Sequence, residues 1–137
     1  MSYLSGPGGM QFHSTSDIQK LAMALNEKQL QEIKAAGEDF LELRRPPEAI
    51  RSKLDLIYRI EGQSVLVYEV RPKWDNPAEI TETPMAKTTF VQTQNVWKIY
   101  WMQSDLKWHN YSPMPQVKSI KTFFKVVDED AFSCFFG

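Results

Sequence analysis

The sequence predicts an α+β domain in which a four-stranded antiparallel meander has N-terminal helices and one C-terminal helix packed on it. Three observations lead there. Apolar residues recur at helical spacing near the start of the chain and again from Gln116 to Val127, with lysines off that stripe. Between these stretches the period falls to two, first over Leu54 to Arg71 and then over Ala86 to Met102, as in half-buried strands. The stretch Asn95 to Tyr111 holds three of the four tryptophans and opens as an alternating strand, so the sheet is expected to be aromatic.

The chain of 137 residues fits one domain. At that size it buries about two thirds of its unfolded surface, enough to fold without metal or disulfide. Sixteen Lys and Arg against seventeen Asp and Glu give a formal charge of -1, which provides no general attraction to nucleic acid or anionic lipid. The single cysteine, Cys134, cannot form an internal disulfide, so a reducing, cytoplasmic setting is expected. No apolar run approaches the roughly 20 residues that cross a bilayer, and no basic-then-apolar signal layout opens the chain. Residues 1–9 read as a cloning remnant or a native flexible arm ahead of a single domain over residues 10–137.

Ser16 and Gln19 have the spacing of a capping box, and Ile18, Leu21, Ala22 and Leu25 form the apolar stripe of a helix that starts there. Asn26 and Gln29 repeat the capping signal for a second helix, with Gly37 marking its end. Pro46 and Pro47 force extended backbone before them, and Pro47 suits the first position of a short helix through Arg51. Leu54 to Arg71 then forms a hairpin. If Leu66, Tyr68 and Val70 share a face with Leu56 and Tyr58, its loop is the three residues Gly62 to Ser64, and Asp55 stands across from Arg71. Prolines at 72, 77 and 84 make the next dozen residues a loop. The second hairpin joins residues 86–92 to Val96–Met102 through Asn95, the residue best able to take a positive φ. Trp97, Ile99 and Trp101 point one way along that last strand, while Val96, Lys98, Tyr100 and Met102 point the other. Large side chains on both faces mark a central strand or a covered second face. Gln103 to Pro115 reads as irregular.

The series Arg45-Pro46-Pro47, Leu54-Asp55, Tyr58-Arg59-Ile60-Glu61-Gly62-Gln63-Ser64, Tyr68-Glu69-Val70-Arg71-Pro72, Trp97-Lys98-Ile99-Tyr100-Trp101, Leu106-Lys107-Trp108-His109 and Phe135-Phe136-Gly137 resembles the bacterial family catalogued as domain of unknown function 3024. The resemblance runs from about Arg44 to the C-terminus. It implies one cytoplasmic domain of a family with no assigned activity, and carries over no catalytic or binding residue.

Asp55 and Glu69-Val70-Arg71 on neighbouring strands are the sharpest enzymatic signal, because restriction-type nucleases hold a divalent metal between an Asp and the Glu of a Glu-x-Lys motif. Arg71 stands where that lysine belongs, and an arginine does not take a proton from water. The competing reading is a cross-strand ladder of ion pairs. His109 and Cys134 have the chemistry of a base and a nucleophile, but nothing in the sequence brings them together, and with His13 they show no zinc spacing. No catalytic residue, cofactor or metal is therefore assigned. Trp74, Trp108 and Tyr111 in predicted loops, beside Arg71, Lys107 and His109, combine stacking faces with cations and are the expected binding residues. The expected function is a non-catalytic cytoplasmic binding or adaptor module. Its partner is expected to be protein, with nucleic-acid binding or a nuclease-like use of Asp55 and Glu69 as the alternative, and with homodimerisation through Val96–Met102 also open.

Overall fold

Asn26 opens the first described element. Its side chain accepts from the Gln29 backbone N–H at 2.7 Å, and the Gln29 side-chain oxygen accepts from the Asn26 N–H at 2.9 Å, completing the expected capping box. The computed structural model describes residues 25–136, so the helix expected from Ser16 and the leader 1–9 lie outside the described residues. The helix that Asn26 caps, α1, spans Glu27–Arg44 and does not stop at Gly37. Gly37 instead is the point where α1 meets the sheet: a Cβ there would sit 2.6 Å from the ring of Tyr58. The Arg45 N–H still bonds the Leu41 carbonyl at 2.7 Å, and the helix ends because Pro46 has no N–H to extend it. Pro47 then leads the short 3-10 turn Glu48–Ile50.

The strands are β1 (Asp55–Glu61), β2 (Ser64–Pro72), β3 (Ile80–Val91), β4 (Val96–Met102), β5 (Trp108–Asn110) and β6 (Gln116–Val117). They pair antiparallel in the order β1-β2-β3-β4-β5, with β6 also on β4. The sheet is thus five strands wide plus a short sixth, not the four-stranded meander expected, and among the described residues one helix, not several, precedes it. The two extra strands hold three and two residues, too few to show a period. They exist because the outer edge of β4 has polar backbone to satisfy. Tyr100 to Met102 take β5, Trp97 and Lys98 take β6, and Ile99 between them bonds the Tyr111 N–H and the Pro115 carbonyl.

The first hairpin also departs from the expected register. Glu61 pairs with Ser64 and Asp55 with Val70, so the loop is Gly62-Gln63, with Gly62 at φ 62, as a two-residue turn with glycine first requires. One residue of slip moves every partner to the other face. Val65 and Val67, not Leu66 and Tyr68, join Leu56, Tyr58 and Ile60. The expected loop from Pro72 to Pro84 shrinks to residues 73–79, because β2 and β3 run on past a bulge at Met85, and Pro84 pairs with Tyr68. Asn95 takes φ 54, as its position predicts.

A C-terminal helix, α2, spans Ile120–Glu129, later than expected because Ser119 caps it and the two residues at its expected start belong to β6. Both helices cover one face of the sheet. Phe40 and Phe124 meet at 5.2 Å between ring centroids, Phe124 stands edge-on to Tyr58 at 6.1 Å, and Val65, Val67, Trp97 and Ile99 lie beneath them. Each such side chain is worth about 1.5–3 kcal/mol of burial. Two of the three acids at the end of α2, Asp128 and Asp130, have partners despite the unfavourable dipole. Asp128 meets Arg44 of α1 at 3.0 Å, and Asp130 accepts from the N–H groups of Phe135 and Phe136, holding the apolar terminus against Tyr111.

Candidate functional site

The register sorts the second face of the sheet into rows, and among the described residues no helix packs on it. One row reads Glu61, Ser64, Thr89, Lys98, Gln116; the next reads Arg59, Leu66, Lys87, Tyr100, Asn110. A third carries Ile57, Tyr68 and Pro84 and, beyond the bulge, Met102 and Trp108.

Its two halves differ electrically. On β1 and β2 every acid is engaged. Arg59 forms a bidentate pair with Glu82, its second bond 2.7 Å, and lies over the Tyr68 ring at 5.0 Å. That pair raises the Arg59 pKa and lowers that of Glu82. The Tyr68 hydroxyl donates to Glu61 at 3.0 Å, and burial, then that bond, push its pKa up. Asp55 takes two bonds of 2.7 Å from Arg45, which hold its carboxyl below the usual carboxylate range. The other half holds cations and rings. From Ala86 to Val91, from Val96 to Met102 and from Trp108 to Asn110 there is no Asp or Glu. Lys87 Nζ sits 5.5 Å from the Tyr100 ring centroid and 5.6 Å from that of Trp108, between two stacking faces. Such an exposed contact is worth about 0.5–1 kcal/mol. Among the described residues neither Lys87 nor Lys98 has a carboxylate within salt-bridge distance.

The residues expected to bind are dispersed by this architecture. Trp108 lies on the open face. His109, its neighbour, pairs with Trp101 on the helix-covered face and bonds Asp105 at 2.8 Å, which lowers the Asp105 pKa. Tyr111 is sealed inside at 2 % exposure, its pKa raised first by that burial. Lys107 is exposed in the β4–β5 turn. Arg71 and Trp74 lie on an arm where β2 and β3 extend beyond β4, and Arg71 is paired with Glu69 at 3.2 Å. Five residues of β3, 80–84, run past the bulge at Met85, so that arm reaches about 17 Å past the end of β4 at 3.3 Å per residue. Trp74 at its tip is 94 % exposed. The expected sequence signals missed Lys87 and Tyr100, which only the register places beside Trp108, and Tyr68, three strands away on the same face. The alternation of β4 did assign Tyr100 to the face away from Trp97.

Asp55 and Glu69 fall on opposite faces, because Asp55 pairs with Val70 and Glu69 with Leu56, so one ion cannot bridge them. Among the described residues no group of three or more His, Cys, Asp and Glu gathers. Cys134 is half-buried, donates to the Phe132 carbonyl, and has its thiol pKa raised by burial. An open groove of about 420 Å³ lies between α1 and α2, lined by Phe40, Leu43 and Phe124, with Lys121 and Lys125 balanced by Asp39 and Asp128. Among the described residues no helix is long and apolar enough to cross a membrane.

Fold and surface together define a small α+β domain with one sheet face sealed by helices and the other bearing rings and cations. The chain belongs to the family described as Domain of unknown function (DUF3024), whose model matches residues 25–137. No curated protein and no solved structure matches it.

Proposed function

We propose that this domain is a non-catalytic binding module of the cytoplasm, and that its site is the open sheet face around Lys87, Tyr100 and Trp108. The observation that carries the reading is the pair of aromatic rings flanking a lysine that has no acidic partner among the described residues, on strands fixed from behind by the core. A rigid scaffold with half-exposed aromatics is what recognition surfaces require, since the rings lose little entropy on binding. The acids on this face are already bonded to Arg45, Arg59 and Tyr68, which supports a binding role over acid–base chemistry.

A second contact, to a protein, is favoured at the tip of the β2–β3 arm. Trp74 and Ile80 are 94 % and 62 % exposed there, on a turn tied by Asn76, Lys73 and Glu79. A lone anchoring tryptophan on an ordered turn is a common hot spot. Photo-crosslinking residues placed at Tyr100, at Met102, at Trp74 and at Lys34 of α1 separate these surfaces in cell extract. Adducts from positions 100 and 102 are expected, with none from 34. Adducts from 74 alone would move the site to the arm, and adducts from neither would remove both.

A further inference from the structure

The geometry points to single-stranded nucleic acid as the ligand of the open face, an inference that rests on the binding reading above and adds its chemistry. Tyr100 and Trp108 are diagonal neighbours across β4 and β5, about 7–8 Å apart at the backbone, and provide two adjacent platforms for successive bases. Lys98 and Lys87 are diagonal in the same way across β4 and β3 and reach two successive phosphates. An open antiparallel sheet with aromatic platforms holds two or three splayed bases, and the third row here offers Tyr68, beneath Arg59, as a further ring.

The occupant follows from charge. Because β3 from Ala86 onward, β4 and β5 carry lysines and no acid, a two-fold copy of this chain would set those lysines against themselves. An apolar protein surface would leave them buried without partners. An acidic peptide satisfies the lysines but offers nothing to stack on the rings. A duplex offers phosphates with its bases already stacked. Only an unpaired strand uses both halves of the arrangement. Lys87 now fills the space over the two rings, and its flexible stem lets the ammonium swing to a phosphate while bases take its place. The overall charge of -1 leaves this attraction local, so no long-range steering accompanies it.

The test is fluorescence anisotropy of the full chain with labelled decathymidylate and decauridylate, against the same sequence as a duplex and a deca-glutamate peptide. Two phosphate contacts on a single strand give a salt slope of about −1.4, hence roughly a sevenfold loss of affinity between 50 and 200 mM salt. Lys87→Gln is expected to halve that slope. Tyr100→Leu and Trp108→Leu keep apolar bulk but remove the platform, and should each weaken binding by about 5- to 150-fold, while Tyr100→Phe and Trp108→Phe retain most of it. Circular dichroism confirms that each variant is folded, and Lys34→Ala, on exposed α1 away from this face, should change affinity less than twofold. Absent binding to either oligonucleotide, equal binding of the glutamate peptide, or indifference to the leucine variants would each overturn the inference. If crosslinks from positions 100 and 102 are nevertheless found, only the ligand class falls; if they are missing too, the binding face falls with it.

Discussion

Replacing Gly37 by alanine tests the close approach of α1 to the Tyr58 ring, and the sign of the effect should depend on Tyr58. In an unconstrained helix interior alanine is more stable than glycine by about 0.8–1.0 kcal/mol. Here the added Cβ would stand 2.6 Å from Cε1 and 2.7 Å from Cζ of Tyr58, whose ring is held edge-on by Phe124. Forcing a methyl into such a site costs about 1–3 kcal/mol. The two terms leave Gly37→Ala destabilising by up to about 2 kcal/mol, or roughly 4 °C of melting temperature per kcal/mol for a chain of this size. In a Tyr58→Ala background the obstruction is gone, and the same change should stabilise by up to about 1 kcal/mol. Urea unfolding of the four proteins gives the coupling directly, expected at about 1–3 kcal/mol. If Gly37→Ala stabilised both backgrounds equally, α1 would not rest on the Tyr58 ring, and the account of why the helix continues through a glycine would be wrong.

Three further changes probe the scaffold. Asp130→Gly suits the left-handed backbone at φ 40 yet removes the acceptors of the Phe135 and Phe136 amides, so a net loss of about 1–2 kcal/mol and much faster hydrogen exchange at those two amides are expected; unchanged exchange would show that the terminus is held otherwise. Arg45 holds the folded pKa of Asp55 below its unfolded value, so this pair stabilises above about pH 4 and its contribution disappears as pH falls through the depressed value. Arg45→Gln should therefore lower the urea midpoint at pH 7, with the gap to the parent protein narrowing as pH falls below about 4, and a gap that stays constant would rule the pair out. Leu106 is exposed with φ 61, a conformation that costs a non-glycine residue about 1–2 kcal/mol, so Leu106→Gly should stabilise by about 0.5–1 kcal/mol after the added freedom of the unfolded chain is counted; a loss of stability would mean the leucine packs in the folded state.

Local signals in this sequence were legible where the physics is local. The Asn26–Gln29 capping box, the positive φ of Asn95 and the alternation of Val96–Met102 each involve a few neighbouring residues, and each occurs as expected. What failed depended on distant partners. Gly37 resembles a helix end until Tyr58, on another element, is seen to need the space. Residues 108–110 and 116–117 have no strand pattern of their own and become strands because β4 offers them an edge. The first hairpin was ambiguous because Val65, Leu66 and Val67 are all buried, so apolarity could not choose the face and the glycine turn decided it.

That single choice of register governs the site as well. With the three-residue loop, Asp55 would face Arg71; with the two-residue loop observed, Arg59, Leu66, Lys87 and Tyr100 fall into one row and Tyr68 enters the next. The large aromatics expected in irregular segments were the visible landmarks, but exposure alone does not gather them. Trp74 stands on the arm, Tyr111 is taken by the core, and Trp108 gains its setting from a lysine two strands away. A sheet face is assembled from residues on different strands, here 87, 100 and 108, so its chemistry becomes visible only when pairing is known. The same logic makes the face testable as a unit. Lys87, Tyr100 and Trp108 share one space, and a ligand that needs all three should show non-additive losses when any two are removed together, whereas independent contacts would simply sum.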